Sequence, residues 1–142
     1  MAPATVSMVL WSSTTIVFAF TFMKVARNYG DLPEEIPIHF GITGKPDNWG
    51  GRILIWLLPV TMVLMAGFML ALVPGMGRDQ PEFQWFPAAM ALYIGVISLA
   101  ITGRMIEVAM GRAKTLGWQT FTIIFVPILL LVIYALYMES RM

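Results

Sequence analysis

Four long stretches of the chain carry no charged side chain, and the charges are concentrated in the segments between them. A helix needs about 20 mostly apolar residues to cross the roughly 30 Å hydrocarbon core of a bilayer, and each stretch is long enough. We therefore predict membrane-spanning helices over residues 4–24, 53–74, 85–104 and 117–138. The predicted fold is an all-α integral membrane protein, one four-helix domain over residues 1–142 with a structured loop at 25–52.

Two prolines fall inside the predicted spans, Pro59 in the second and Pro127 in the fourth. A proline within a membrane helix is tolerated because a neighbouring helix can supply a hydrogen bond to the carbonyl that the proline leaves free. We expect each proline to produce a static packing kink; a kink that gates a movement is the alternative.

The composition agrees with a membrane protein and excludes several other classes. Of the 142 residues, 58% are hydrophobic and 12% are charged, whereas about 25% of residues are charged in a typical soluble domain. A net charge of +1 does not supply the basic surface that nucleic-acid binding requires. The chain has no cysteine and one histidine, so the sequence predicts no thiolate or multi-histidine metal site.

The basic residues are distributed unequally between the two ends of the predicted bundle. Short cytoplasmic loops are enriched in lysine and arginine. One end carries two basic residues, Arg78 and Arg141, and the other carries seven: Lys24, Arg27, Lys45, Arg52, Arg104, Arg112 and Lys114. The count predicts that the first and third loops are cytoplasmic and that both termini lie on the opposite side.

Small residues recur at helical spacing on two of the predicted spans. Membrane helices associate at such faces because small side chains allow close backbone approach. The third span has Ala91, Gly95, Ser98 and Thr102, and the first has a weaker counterpart in Ser12, Thr15 and Ala19. We interpret these faces as the contacts that hold the bundle together. The alternative is a docking face for a partner's helix, a pigment or a lipid.

No acidic or basic side chain lies in the middle of any predicted span. Such residues usually mark proton relays, ion pathways and substrate sites, so a proton-coupled transporter or pump is disfavoured. Glu107 lies one helical turn from Arg104 at the edge of the third span, and we expect these two side chains to form an interfacial ion pair.

The first loop contains the most specific sequence pattern in the chain. Apolar and other residues alternate over 36–40, which predicts a short strand across the helix ends with Ile36, Ile38 and Phe40 facing inward. Residues 44–51 are rich in turn-forming types and predict a turn. The candidate ligand- or partner-binding residues are Pro37, His39, Phe40, Gly44, Asp47, Trp49 and Arg52.

His39 is the residue of this loop with the widest range of chemistry, because histidine changes charge near neutral pH. We favour a structural hydrogen bond that locks the loop, with Asp47 among the nearby carboxylates. Contact with a ligand, pigment or partner is the second interpretation. Catalysis is disfavoured because no nucleophile, oxyanion hole or metal triad accompanies the histidine, and no catalytic or metal-binding residue is predicted.

The order of residues in this loop resembles the signature of the domain of unknown function 1648. The matching positions are Leu32, Pro33, Ile36, Pro37, His39, Phe40, Gly44, Asp47, Gly50 and Arg52. That family comprises bacterial and archaeal membrane proteins in which the signature links the first and second membrane helices. It includes the Sdp-type immunity proteins, which protect a cell from its own secreted toxin and take part in signalling. The resemblance implies a multi-pass protein of a prokaryotic inner membrane.

From the sequence we expect a non-catalytic accessory or structural subunit packed in a larger membrane complex of respiratory or photosynthetic type. The alternative is a stand-alone immunity or signalling protein that binds a toxin or partner through residues 31–52. The expected partners are membrane lipids and other transmembrane subunits, with no nucleic acid. No cofactor is predicted, and bound lipid or pigment is left open.

Overall fold

The computed structural model describes residues 3–79 and 85–139, and its main elements are four helices and one β-hairpin. The helices are α1 (Pro3–Asn28), α2 (Leu57–Asp79), α3 (Phe86–Ala109) and α4 (Trp118–Glu139). Three segments are long and apolar enough to cross a membrane: Ala4–Asp31, Arg52–Ala71 and Phe86–Ala109. In α4, the described side chains form an apolar stretch over Trp118–Leu130. The described part of the chain is thus largely helical, with three membrane-span candidates and a small sheet.

The helix ends differ from the predicted spans by about one turn. Helix α1 continues past Lys24 to Asn28, and α3 continues past Arg104 to Ala109. Charges mark where a helix leaves the hydrocarbon, but the backbone hydrogen bonds continue beyond that depth, so the helix extends further than its apolar run. At the start of α2, the residues Arg52–Trp56 form a 3₁₀ turn, so the regular helix begins at Leu57.

Helix α3 lies at the centre of the fold and packs mainly against α1 and α2. Its small residues are buried: Ala88, Ala91, Gly95, Ser98 and Thr102. A Cβ atom built on Gly95 would lie 3.2 Å from Phe18 Cε1 and 3.3 Å from Val17 Cγ1. The absence of a side chain at this position therefore allows α1 to approach α3 closely.

The packing face predicted for α1 is wrong. Ser12, Thr15 and Ala19 are exposed, and the described side chains of this helix that are buried are Thr14, Thr21 and Val25. The hydroxyl groups of Ser12 and Thr14 both donate to the backbone carbonyl four residues earlier, at 2.9 Å and 2.8 Å. Both polar groups are satisfied inside the helix, so their chemistry does not indicate which face is buried.

The first loop folds into an antiparallel hairpin of β1 (Glu35–Phe40) and β2 (Pro46–Gly51). The predicted strand over 36–40 is confirmed, but its simple alternation is not. Pro37 pairs with Trp49 and His39 pairs with Asn48, so Ile38 has no partner and forms a bulge. As a result Ile36 and Pro37 are both buried, while Ile38 and His39 are exposed.

The turn predicted for residues 44–51 is also corrected, because residues 46–51 form the second strand and the connection is residues 41–45. The glycine at position 50 provides space within a strand. A Cβ built on Gly50 would lie 2.8 Å from Leu54 Cδ1 and 3.0 Å from Ile38 Cδ1. In a sequence, a glycine that is needed for close packing cannot be told from a glycine that is needed for a turn.

The hairpin lies across one end of the bundle, where its apolar side chains complete a core with the helix ends. This cluster consists of Val25, Leu32, Ile36, Ile55, Met105 and Ile106, with Tyr29, Phe40 and Trp56 among the residues packed around it. It joins residues from α1, the hairpin, the 3₁₀ turn and α3. The first loop is therefore a fixed part of the fold.

The two prolines have different structural roles. Pro59 lies in the first turn of α2, where proline is tolerated, and it does not interrupt the helix. Pro127 lies inside α4 and leaves the carbonyl of Ile123 without its helical partner. The Tyr93 hydroxyl of α3 donates to the adjacent carbonyl of Ile124 at 2.5 Å. A neighbouring helix thus supplies a donor beside the proline, but to the Ile124 carbonyl and not to the Ile123 carbonyl that the proline leaves free.

Candidate functional site

The tip of the hairpin is a tight turn that depends on glycine. The Gly41 amide donates to the Lys45 carbonyl at 2.9 Å, and the Gly44 amide donates to the Gly41 carbonyl at 2.8 Å. Gly44 has a φ of 73°, in the left-handed region that residues with a side chain rarely adopt. The glycine is therefore required by the backbone of the turn.

The same glycine attaches the hairpin to the segment before α4. Its carbonyl accepts a hydrogen bond from the Leu116 amide at 2.7 Å, and a Cβ built on Gly44 would lie 3.0 Å from Phe121 Cε2. The first and third loops therefore meet at the same end of the bundle, in agreement with the grouping of their basic residues. This contact fixes the tip against the rest of the protein.

Arg104 organises the segment between α3 and α4. Its guanidinium donates to the carbonyls of Leu116 at 2.8 Å and Thr115 at 2.9 Å, and to the Glu107 carboxylate at 2.5 Å. The predicted ion pair with Glu107 is confirmed. The two carbonyl contacts were not predicted, since a backbone acceptor eleven or twelve residues away has no sequence signal.

His39 and Asp47 form a pair across the two strands. The distance from His39 Nδ1 to Asp47 Oδ1 is 2.5 Å, and the two side chains are 67% and 52% exposed. The hydrogen bond that the sequence favoured for His39 is present, and its role in locking the loop stays a prediction. An exposed pair of this kind contributes little to stability, on the order of 0–1 kcal/mol. Because more than half of each side chain is exposed, both side chains are accessible from outside the hairpin.

An apolar cavity of about 380 Å³ lies beneath the hairpin. Its walls are β1, the 3₁₀ turn with the beginning of α2, the second half of α3 and the segment before α4. The lining residues are Ile38, His39, Phe40, Leu54, Leu57, Leu58, Ile101, Met105 and Leu116. Among the lining residues that the structure describes, His39 is the one polar side chain. The cavity can therefore hold an apolar group, with a histidine at its rim to orient it.

The structure brings only some of the candidate residues to this cavity. His39 and Phe40 line it, Asp47 holds His39, and Gly44 forms the tip. The remaining three lie elsewhere: Pro37 is buried in the hairpin, Trp49 is exposed on β2, and Arg52 stacks over the Tyr29 ring with its guanidinium carbon 5.4 Å from the centroid.

The apolar walls of the cavity were not predicted from the sequence. Leu57, Ile101 and Met105 have no sequence signal that separates them from other apolar residues in membrane helices.

Across residues 3–79 and 85–139, no group of three or more histidine, aspartate or glutamate side chains is placed to hold a metal ion.

Comparison with known proteins supports the resemblance seen in the loop. The profile of the family described as Domain of unknown function (DUF1648) matches residues 16–63, from the middle of α1 through the hairpin into α2. A protein of Archaeoglobus fulgidus described as uncharacterized is 33% identical over 55 residues. The match covers 39% of this chain and 30% of the archaeal protein. No solved structure matches this chain. The resemblance of this chain to the DUF1648 family is therefore confirmed, and residues 16–63 carry it.

Proposed function

We propose that this protein is a non-catalytic binding protein of a prokaryotic inner membrane, of immunity or signalling type, whose hairpin end receives an apolar segment of a polypeptide partner. The observation that carries the proposal is the cavity of about 380 Å³ between the hairpin and the helix ends. Binding pockets for compact ligands have volumes of about 300–1,000 Å³, with mostly apolar walls and few polar groups. A cavity of this size accommodates one or two large apolar side chains of a partner.

The rigidity of the hairpin supports the same conclusion. Its inner face is packed in the core through Ile36, and its tip is bonded to Leu116. A site that is already ordered avoids the entropic cost of ordering when a partner binds. The resemblance to a family that includes toxin-immunity proteins points to a toxin or signalling peptide as the partner.

We test this function by filling the cavity. Leu57 lines it and is exposed, so Leu57→Trp introduces a large side chain at its mouth with little effect on the core. Leu64→Trp is the matched control, because Leu64 is an exposed leucine two turns further along α2 that does not line the cavity. Tagged proteins are purified from their own membranes in a mild detergent, and the co-purifying chains are identified.

We expect one polypeptide to accompany the unmodified protein and the Leu64→Trp variant, and to be lost from Leu57→Trp. Equal recovery with both variants, or purification of the unmodified protein alone, contradicts the proposed function. Comparable thermal unfolding of the two variants is the control for folding.

For the membrane topology, we propose four spans with the hairpin on the cytoplasmic side. Helix α4 has 22 residues, which corresponds to a length of roughly 33 Å at 1.5 Å per residue. The grouping of basic residues at the hairpin end favours the cytoplasm for that end. Because the chain has no cysteine, labelling of a single introduced cysteine reports on which side of the membrane that position lies.

The test uses Ile42→Cys at the hairpin tip, where the side chain is 98% exposed, and a separate variant with a cysteine added after Met142. In intact spheroplasts, we expect a membrane-impermeant maleimide to label the variant with the C-terminal cysteine and not the Ile42→Cys variant. Labelling of both or neither contradicts a fourth crossing, and the reverse pattern contradicts the orientation.

An accessory subunit of a larger complex is the second candidate, and the surface of α4 favours it. A shallow apolar groove on this helix is lined by Phe125, Val126, Ile128, Leu129 and Val132. The experiment is the native mass of the protein in a mild detergent. Migration in an assembly far larger than the 15.9 kDa chain supports a subunit, and migration as a monomer or small homo-oligomer contradicts it.

A further inference from the structure

A second groove lies on a different side of the bundle, between α1, α3 and α4. It has a volume of about 270 Å³ and is separate from the cavity beneath the hairpin. Phe20 and Lys24 come from α1, Ile123 comes from α4, and α3 supplies the floor through Val96, Leu99, Ala100, Gly103, Arg104 and Glu107. One end of the groove is thus charged, and the remainder is apolar.

Lys24 is the notable residue at the charged end. Its ammonium nitrogen lies 2.6 Å from the position that a Cβ of Gly103 would occupy, so the side chain crosses from α1 onto α3. Among the residues that the structure describes, Lys24 forms no ion pair, although Glu107 lines the same groove. The Glu107 carboxylate is already paired with Arg104. The ammonium group of Lys24 is therefore available to an anion.

Arg27 adds a second positive charge beside Lys24. The two residues lie three positions apart in the last turns of α1, which places them on one face. They share a smaller groove of about 200 Å³ with Phe20, Met23 and Asn28. Arg27 likewise has no ion pair within the described part of the chain. Lys24 and Arg27 thus place two positive charges without an ion pair near the end of α1.

The apolar part of the groove runs from this charged end towards the middle of the bundle. From Gly103 to Val96, the floor of the groove covers seven residue steps of α3, or roughly 11 Å at 1.5 Å per residue. Phe20 and Ile123 form its two sides. A free phosphate would use the charged end alone, whereas a phospholipid also fills the apolar part with an acyl chain.

We propose that this groove binds one anionic phospholipid, with its phosphate on Lys24 and Arg27 and an acyl chain along α3 between Phe20 and Ile123. A zwitterionic lipid binds less well, because its own cation competes with the two basic side chains for the phosphate. The lipid fills the space between α1 and α4 along the groove. This site does not depend on the cavity beneath the hairpin, so either proposal can fail without the other.

The test is competitive lipid binding measured by native mass spectrometry of the full chain. The detergent-solubilised protein is mixed with equal amounts of phosphatidylglycerol and phosphatidylcholine of the same acyl length. Lys24→Gln removes the charge and keeps most of the side-chain length. Lys45→Gln is the matched control, since Lys45 is an exposed lysine of the hairpin tip that lies outside the groove.

We expect one phosphatidylglycerol to be retained in preference to phosphatidylcholine, and Lys24→Gln to reduce that preference about fivefold, because one basic residue near an anionic headgroup contributes about 1 kcal/mol. Lys45→Gln leaves the preference unchanged. Equal retention of the two lipids by the unmodified protein overturns the proposal, as does an equal effect of the two substitutions.

Two further measurements separate a lipid site from a simple anion site. Val96→Trp fills the apolar part of the groove and leaves both cations in place, and we expect it to displace the lipid. The second measurement adds excess inorganic phosphate to the unmodified protein, and we expect phosphatidylglycerol to stay bound. Retention of phosphatidylglycerol by the folded Val96→Trp variant overturns the acyl-chain placement and with it the proposal. Displacement of phosphatidylglycerol from the unmodified protein by phosphate does the same.

Discussion

Helices α3 and α4 are similar in length and apolar character, yet they occupy opposite environments. In α3 a continuous face of small residues is buried, including Ala91, Gly95 and Ser98. In α4, Thr120 is the one buried residue among the side chains that the structure describes, and large residues such as Phe125 and Leu129 are exposed. Hydropathy alone does not distinguish the two helices.

The difference shows what determines position in a bundle of apolar helices. Lipid is as apolar as a leucine side chain, so burying a large side chain against another helix gains little compared with leaving it in lipid. Small residues instead allow backbones to approach, which increases van der Waals contact. Helix α3 has such a face and becomes central, whereas α4 is joined to the bundle by a few specific polar contacts.

The largest expected effect comes from removing the close approach at α3. Gly95→Leu adds a side chain at a position where even a Cβ atom would lie 3.2 Å from Phe18 and 3.3 Å from Val17. We expect a loss of about 3 kcal/mol in the free energy of unfolding, since overpacking a tight contact forces the helices apart. The measurement is unfolding in mixed micelles of increasing dodecyl sulfate content.

Gly67→Leu is the matched control, because a Cβ built on Gly67 of α2 has no neighbour within 4 Å. Its stability should be unchanged or slightly higher, since glycine is a poor helix former. Similar losses for both variants would contradict the view that close packing at Gly95 fixes the centre of the fold.

An intermediate effect is expected at the entrance to α4. Arg104→Gln removes the hydrogen bonds to the Thr115 and Leu116 carbonyls and the ion pair with Glu107. Hydrogen bonds to charged groups contribute about 1.5–3 kcal/mol, so we expect a loss of about 2 kcal/mol together with faster amide exchange at Leu116. Lys114→Gln, at an exposed position in the same segment, is the control and should leave both quantities unchanged.

The smallest effect is expected in the middle of α4. Tyr93→Phe removes the hydroxyl that donates to the Ile124 carbonyl, and a neutral hydrogen bond contributes about 1 kcal/mol. The result should be a loss of that size in unfolding free energy, with faster exchange in α4 and not in α1. Leu130→Ala, on the exposed surface of α4, should change stability by less than about 0.5 kcal/mol. A larger loss at Leu130 than at Tyr93 would mean that α4 is held by apolar packing.

The candidate site was predictable where its residues interact locally. His39 and Asp47 are eight positions apart on either side of a turn, and the hydrogen bond between them follows once the turn forms. The cavity was not predictable, because its walls come from four segments far apart in the sequence. Ile101 and Leu57 become neighbours only when α2 and α3 pack under the hairpin.

The errors have physical causes of the same kind. The face of α1 was misplaced because Ser12 and Thr14 satisfy their hydroxyl groups identically within the helix, so only contact with α3 decides which is buried. The alternation in β1 failed because a bulge at Ile38 depends on pairing with β2. In both cases the decisive interaction is with another segment.

By itself, the sequence determined the apolar helices, the strand at residues 36–40, the pairing of Arg104 with Glu107, and the resemblance that residues 16–63 carry. These features follow from local periodicity, charge spacing and a short ordered motif. Tertiary structure alone decided that α3 is central, that the hairpin tip bonds to Leu116, and that Lys24 reaches across to Gly103. Each of these features depends on how closely two segments of the backbone approach each other. In a chain that is so uniformly apolar, the distance between two segments is set by the shapes of both.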